Sequence, residues 1–152
     1  MEESVEEIRE EIFSHGEKKG LRTHNRINGE LCGRIVELKP GYSKVSLKTT
    51  TEMIADDKEL IHSGFLFCAA SFAAVACVND PYAFLLSSEI TFLSPAKNKD
   101  MIIFEAYEKY QNGRKREIEV KGFLDEIKIL KGSFTILIFE EHILTDKLPQ
   151  YK

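Results

Sequence analysis

Cysteine is scarce in this chain. Its three thiols, Cys32, Cys68 and Cys77, are odd in number and contain no CxxC pair, which argues against a disulfide framework or a zinc site and fits reduced thiols in a cytoplasmic protein. No metal is expected. Positive charge is also short: 21 Lys and Arg stand against 25 Asp and Glu, a formal net charge of −4. A nonspecific nucleic-acid binder needs a basic face to neutralise phosphates, so that class is disfavoured. The opening residues, MEESVEEIREE, lack the basic n-region and apolar h-region of a secretory signal, and export is not expected.

Long apolar runs are limited to one, IHSGFLFCAASFAAVACVN at residues 61–79. A bilayer-spanning helix needs roughly 20 predominantly apolar residues. This run becomes apolar only after His62-Ser63-Gly64, is interrupted by Ser71 and stops at Asn79-Asp80-Pro81. Its residues are mostly small, and small residues let other backbone approach from several sides, so the run reads as a helix buried in protein. Proline cannot continue it.

At 152 residues, 43% hydrophobic and 30% charged, the chain can bury one sizeable core, and one domain is expected. Around the helix the pattern suggests strands. Residues 28–38 and 42–51 form a hairpin turned by Lys39-Pro40-Gly41, the second strand alternating Val45, Leu47 and Thr49 with Ser46, Lys48 and Thr50. Residues 83–93, 101–110, 114–127 and 133–139 follow, separated by turn signals at Ser94-Pro95, Asn112-Gly113 and Lys131-Gly132, and read as a sequential antiparallel meander. At the N-terminus Ser4 and Glu7 make a capping box, Val5, Ile8 and Ile12 an apolar stripe, and Lys18 and Lys19 a basic end, which predicts an amphipathic helix. That helix packs on the domain or makes a dimer contact. The expected division is residues 1–25 for this helix and its connection, 26–146 for the domain and 147–152 for a tail.

The order of hairpin, hydrophobic helix opening at His62-Ser63-Gly64, and four strands resembles the hotdog fold of acyl-CoA thioesterases and acyl-CoA-sensing domains. The stretches carrying the likeness are GELCGRIVELKPGYSKVSL, HSGFLFCAASFAAVACVN, SSEITFLSPAKNKD and KGSFTILIFEE, over about residues 29–144. The pattern is most similar to the effector domain of FapR-type regulators of lipid synthesis, without their DNA-binding part, and less so to PaaI-type thioesterases. The resemblance implies an α+β fold, an antiparallel sheet wrapped around one long central helix. It also implies a homodimer with coenzyme A thioester ligands at its interface, the acyl group near the helix start. The site residues so implied are His62, Ser63, Gly64, Phe65, Cys68 and Ser71, with Phe67 and Phe72 as further apolar lining.

Two departures from the family pattern bear on activity. PaaI-like enzymes carry an acidic residue nine positions after the motif histidine, where this chain has Ser71, and a neutral serine without a proton acceptor is no general base. FapR-type domains read a malonyl carboxylate with an arginine before the helix and an asparagine on it, where this chain has His62 and Ser71; the guanidinium fork that grips a carboxylate is missing. Two function classes stay open: a non-catalytic acyl-CoA sensor able to relay to a protein partner, and a thioesterase whose carboxylate lies elsewhere, Glu89 or a residue of the partner chain being the candidate; a structural dimer that has lost its ligand is a third. No cofactor beyond the thioester ligand, no nucleic acid and no membrane are expected. Asn25 is a candidate contact for a thioester carbonyl, and Lys97, Lys99, Arg114, Lys115 and Arg116 are candidate partners for phosphates.

Overall fold

Asn28 opens the first element. Its side-chain oxygen accepts from the amides of Glu30 at 2.9 Å and Leu31 at 3.4 Å, so Gly29–Cys32 closes into one helical turn, α1, where the sequence pattern suggested that a strand had begun. A cap of this kind satisfies donors that a strand would need a neighbour to satisfy. Gly33 ends the turn at a φ of 90°, and a Cβ there would stand 2.6 Å from Val45 Cγ1, so only glycine fits. The hairpin follows as β1, Arg34–Lys39, and β2, Tyr42–Lys48. β2 stops at Lys48 because Thr49 turns to a different partner: its hydroxyl donates to the Lys97 carbonyl at 2.8 Å and its amide to the Asp100 carbonyl at 2.9 Å.

The structure, a computed structural model, describes residues 20–145. The expected N-terminal helix, with Ser4, Glu7, Val5, Ile8 and Ile12, lies outside the described residues. The apolar run forms α2, Ser63–Val78, of 16 residues, ended by Asn79 in the left-handed region at a φ of 52°, a conformation asparagine tolerates better than most residues. Leu66, Ala69, Phe72, Ala73 and Ala76 are among its buried positions. The buried Ser43 hydroxyl donates to the Ala73 carbonyl at 2.5 Å, tying β2 to the middle of the helix. Ala73 has no exposed surface, so Ala73→Leu is expected to overpack this contact and cost about 1–3 kcal/mol. Thermal unfolding checks it, and an unchanged transition would mean that the helix is loosely seated.

After α2 come β3, Ala83–Phe92, β4, Met101–Asn112, β5, Lys115–Leu124, and β6, Ile127–Ile138. All pairings are antiparallel, in the order β1-β2-β4-β5-β6-β3. The four-strand sequential meander is therefore corrected. β4 pairs with β2, β5 and β6 follow it, and β3 crosses to the far edge beside β6. The connection between β3 and β4 does not turn tightly but is held under the helix start, where the Ile61 amide donates to the Ala96 carbonyl at 2.9 Å.

The last turn is also corrected. Lys131-Gly132 is not a turn: Gly132 lies inside β6 opposite Val120 and Ile90, where a Cβ would meet Ile90 Cγ1 at 2.9 Å. Glycine here serves close approach of strands. The turn falls instead at Asp125-Glu126, with Asp125 at a φ of 53°, a left-handed value that suits a two-residue hairpin. Among the described residues the result is α+β: a six-stranded antiparallel sheet with one helix longer than a single turn lying against it, a hotdog-like arrangement. No helix among the described residues is long and apolar enough to cross a membrane.

Candidate functional site

The start of α2 is fixed by the backbone around it. The His62 amide donates to the Met53 carbonyl at 2.9 Å, and Leu60 makes an isolated bridge with Lys97. His62 is the N-cap, extended and without a side-chain cap bond. The Phe65 amide reaches back to the His62 carbonyl at 3.1 Å, but no acceptor among the described residues takes the amides of Ser63 or Gly64. Such amides at a helix start attract a carbonyl oxygen or an anion. A Cβ on Gly64 would lie 2.8 Å from His62 Nε2: the imidazole rests over the glycine, and glycine permits it. Beside this turn opens a cavity of about 360 Å³ whose wall includes Leu60, His62, Ser63, Leu66, Phe92 and Ala96. No carboxylate lines it, and His62 is its only ionisable group.

Of the sequence-derived candidates, His62 and Ser63 line this cavity. Phe65 meets the His62 ring edge-on at 6.1 Å, and Gly64 lies beneath that ring. Cys68 and Ser71 sit one and two turns further on, half-exposed with Phe67 and outside the cavity wall. The Ser71 hydroxyl donates to the Cys68 carbonyl at 2.9 Å, so its proton is engaged by its own helix. Cys68 lies beside Cys32, whose thiol is pushed up chiefly by burial and then by that neighbour. Burial also pushes Cys77 up to about 12. Thiols held protonated in this way are poor nucleophiles. Phe72 belongs to the core at 3% exposure, and Phe67 packs toward Phe134 at 6.1 Å.

Register settles which way β3 faces. Ser88, Ile90 and Phe92 pair with Phe134, Gly132 and Leu130, and Phe134 and Leu130 are fully buried against the core. Paired residues share a face, so these three point to the helix side and Glu89 to the opposite one, away from the cavity. Of the basic candidates, Arg114 pairs with Glu140 and Arg116 with Glu108 at 2.9 Å, at the far hairpin. Lys97 alone adjoins the cavity, through its bridge to Leu60. Sequence reading missed Phe92, Leu93, Ser94, Pro95 and Ala96 as cavity wall. The only signal was Ser94-Pro95, taken as a turn.

A second cavity, about 380 Å³, lies at the other end of β3 and was also missed. It is lined by Arg22, His24, Asn25, Tyr82, Phe84 and His142 among others, again without a carboxylate. Asn79 builds it: its side chain accepts from the Arg22 amide and donates to the Gly20 carbonyl, both at 2.7 Å, strapping residues 20–25 across the helix end. His24 Nδ1 lies 2.7 Å from the Thr23 hydroxyl, and burial holds this imidazole below its ordinary value. Asn25 therefore belongs to this cavity and not to the one at the helix start.

Two solved structures decide the kinship. The uncharacterized protein PH1136 from Pyrococcus horikoshii is 36% identical, with a TM-score of 0.81 over 82% of this chain and 95% of its own. Cj0977 from Campylobacter jejuni, described as a sigma28-regulated virulence protein, is 35% identical, with a TM-score of 0.80 over 82% of this chain and 97% of its own. The chain belongs to the family of PH1136 and Cj0977. The chain also shares a fold with more distant proteins, among them a hypothetical thioesterase with coenzyme A from Streptococcus pneumoniae, at 18% identity and a TM-score of 0.65.

No family model matches the chain. Among curated proteins it is 42% identical over 114 residues to methylthioribose-1-phosphate isomerase of Aquifex aeolicus, covering 75% of this chain but 25% of that protein. The chain thus spans about a quarter of that relative's length. It is 23% identical over 145 residues to the transcription factor FapR of Caldanaerobacter subterraneus, spanning 95% of this chain and 72% of that one.

Proposed function

We propose that this protein is a homodimer that binds a coenzyme A thioester, the acyl group in the cavity beside Ser63, and does not hydrolyse it. The carrying observation is that cavity: apolar side chains form most of its wall, two free helix amides stand at its edge, and it contains no carboxylate. The amides suit a thioester carbonyl and the apolar wall an acyl chain. The likeness to FapR and the shared fold with a thioesterase solved with coenzyme A support the ligand class. Ser71 donates into its own helix and Glu89 faces away, which favours binding over hydrolysis.

Dimerisation through β3 follows from the contrast between the two sheet edges. β1 is six residues long and carries Arg34, Glu37 and Lys39. Both edge strands are bulged, β1 against β2 and β3 against β6, so length and charge distinguish them. Charges discourage an edge from pairing. β3 has ten residues with Glu89 its only charge, and Phe84, Leu86 and Phe92 along it are each at least 40% exposed. A long apolar edge with one charge calls for a partner, and a second copy offers the same edge.

The test pairs calorimetry with a thiol-release assay over short, long, linear and aromatic acyl-CoAs. Binding heat is expected with at least one of them, with turnover lower by about 10²–10⁴-fold than a positioned general base would give. Robust turnover would overturn the non-catalytic reading, and neither heat nor turnover with any thioester would overturn both.

A further inference from the structure

The two cavities stand at opposite ends of one strand. α2 runs up and β3 runs back down, so the helix start and the end of β3 share one cavity, while the helix end and the start of β3 share the other. Ten strand residues span roughly 33 Å, which keeps the two apart within a single chain. A twofold axis normal to the sheet, through the middle of β3, changes this. It keeps both helices on the same side of the joined sheet and sets the two copies of β3 antiparallel. The start of one copy's strand then lies beside the end of the other's. A displacement of a residue or two in register leaves that neighbourhood intact.

Their chemistry is complementary. The cavity at the helix start is largely apolar, with His62 as its only ionisable group. The other is lined by Arg22, His24, Asn25 and His142 beside Tyr82 and Phe84, and none of its lining residues is acidic. The Arg22 side chain has no acidic partner among the described residues. A guanidinium without an acidic partner, with ring and amide N–H donors beside it, suits phosphate oxygens.

We propose that Arg22, His24 and Asn25 of one copy complete the site at Ser63 of the other, holding the phosphates of a phosphorylated thioester whose acyl end enters the apolar cavity. The proposal rests on the dimeric thioester-binding reading above and adds which residues cross the interface. Each site is a chimera of both chains, and no ligand is gripped at both ends by one of them.

Mixed dimers test this. One parent carries Arg22→Glu with His24→Asn, asparagine being tolerant of the left-handed backbone at position 24, where φ is 53°. The other carries Ser63→Trp, which plugs the apolar mouth; Leu60→Arg replaces it if that chain loses its dimer or its thermal transition. Binding of one acyl-CoA is measured by calorimetry on wild type, each parent homodimer and the purified mixed dimer. Shared sites predict that both parents bind at least about tenfold more weakly, as loss of charge-assisted contacts implies, while the mixed dimer regains half the wild-type stoichiometry at wild-type affinity. Sites built within one chain leave every site of the mixed dimer damaged, and no recovery would overturn the proposal while leaving thioester binding intact. S-acyl pantetheine, which has no phosphate, is expected to bind wild type and the Arg22→Glu/His24→Asn parent alike; a matching loss there would overturn the phosphate assignment. If wild type binds no thioester, the underlying reading falls and this inference with it.

Discussion

Phe104→Ala is expected to lower the free energy of unfolding by about 3–5 kcal/mol, the range for truncating a fully buried aromatic side chain. Phe104 has no exposed surface and lies in β4 between Val45 of β2 and Gly122 of β5. A Cβ on Gly122 would stand 3.0 Å from its ring, so the glycine opposite provides the space that the ring occupies. Removing the ring leaves that space beside another position with no side chain, and neighbours cannot collapse into it. Domains of this size have about 5–15 kcal/mol to lose. Urea unfolding with an unchanged slope gives the value, and a loss below about 1 kcal/mol would contradict a continuous core across β2, β4 and β5.

Leu86→Lys is expected to weaken the proposed β3-to-β3 dimer by about 10²–10⁴-fold while leaving the fold of each chain intact. Leu86 is the bulged residue of β3, unpaired with β6, 40% exposed and near the middle of the strand. In a twofold pair it lies at the seam close to the axis, and taking a lysine charge out of water there costs about 3–5 kcal/mol. Lysine is also a residue by which natural edges refuse partners. Sedimentation at several concentrations reads the shift, with circular dichroism confirming that the chain stays folded. Thioester binding should weaken in step with dissociation if the ligand needs both copies. A Leu86→Lys protein that remains dimeric at low micromolar concentration would move the interface away from β3.

Local chemistry made part of this fold legible. The apolar run with its small residues and its Asn79-Asp80-Pro81 stop announced α2, and Pro40-Gly41 announced the first hairpin, because composition and turn geometry act within a few residues of where they are written. Gly132 misled for the same reason. A glycine after a lysine resembles a turn locally, yet its cause is Ile90 on a distant strand, approaching too closely for a Cβ. Asn28 misled in the opposite sense, capping a turn where the pattern read as strand.

The candidate site divides along the same line. That His62, Ser63 and Gly64 open the helix was readable, because a helix start is a local event whose unpaired amides follow from helix geometry itself. Ser71 and Cys68 were readable as one helical face, but not that the serine proton would be engaged by the cysteine carbonyl. Glu89 could not be placed without knowing which strand β3 would join. Sequence alone determined that this chain would bury one alanine-rich helix against antiparallel strands, because the periodicity and punctuation of those segments allow little else. Tertiary structure alone decided that β3 lies at an open edge, with an apolar cavity at one end and a cavity lined by Arg22, His24 and His142 at the other. Both depend on pairings between residues far apart in the chain, and no local pattern records such distances.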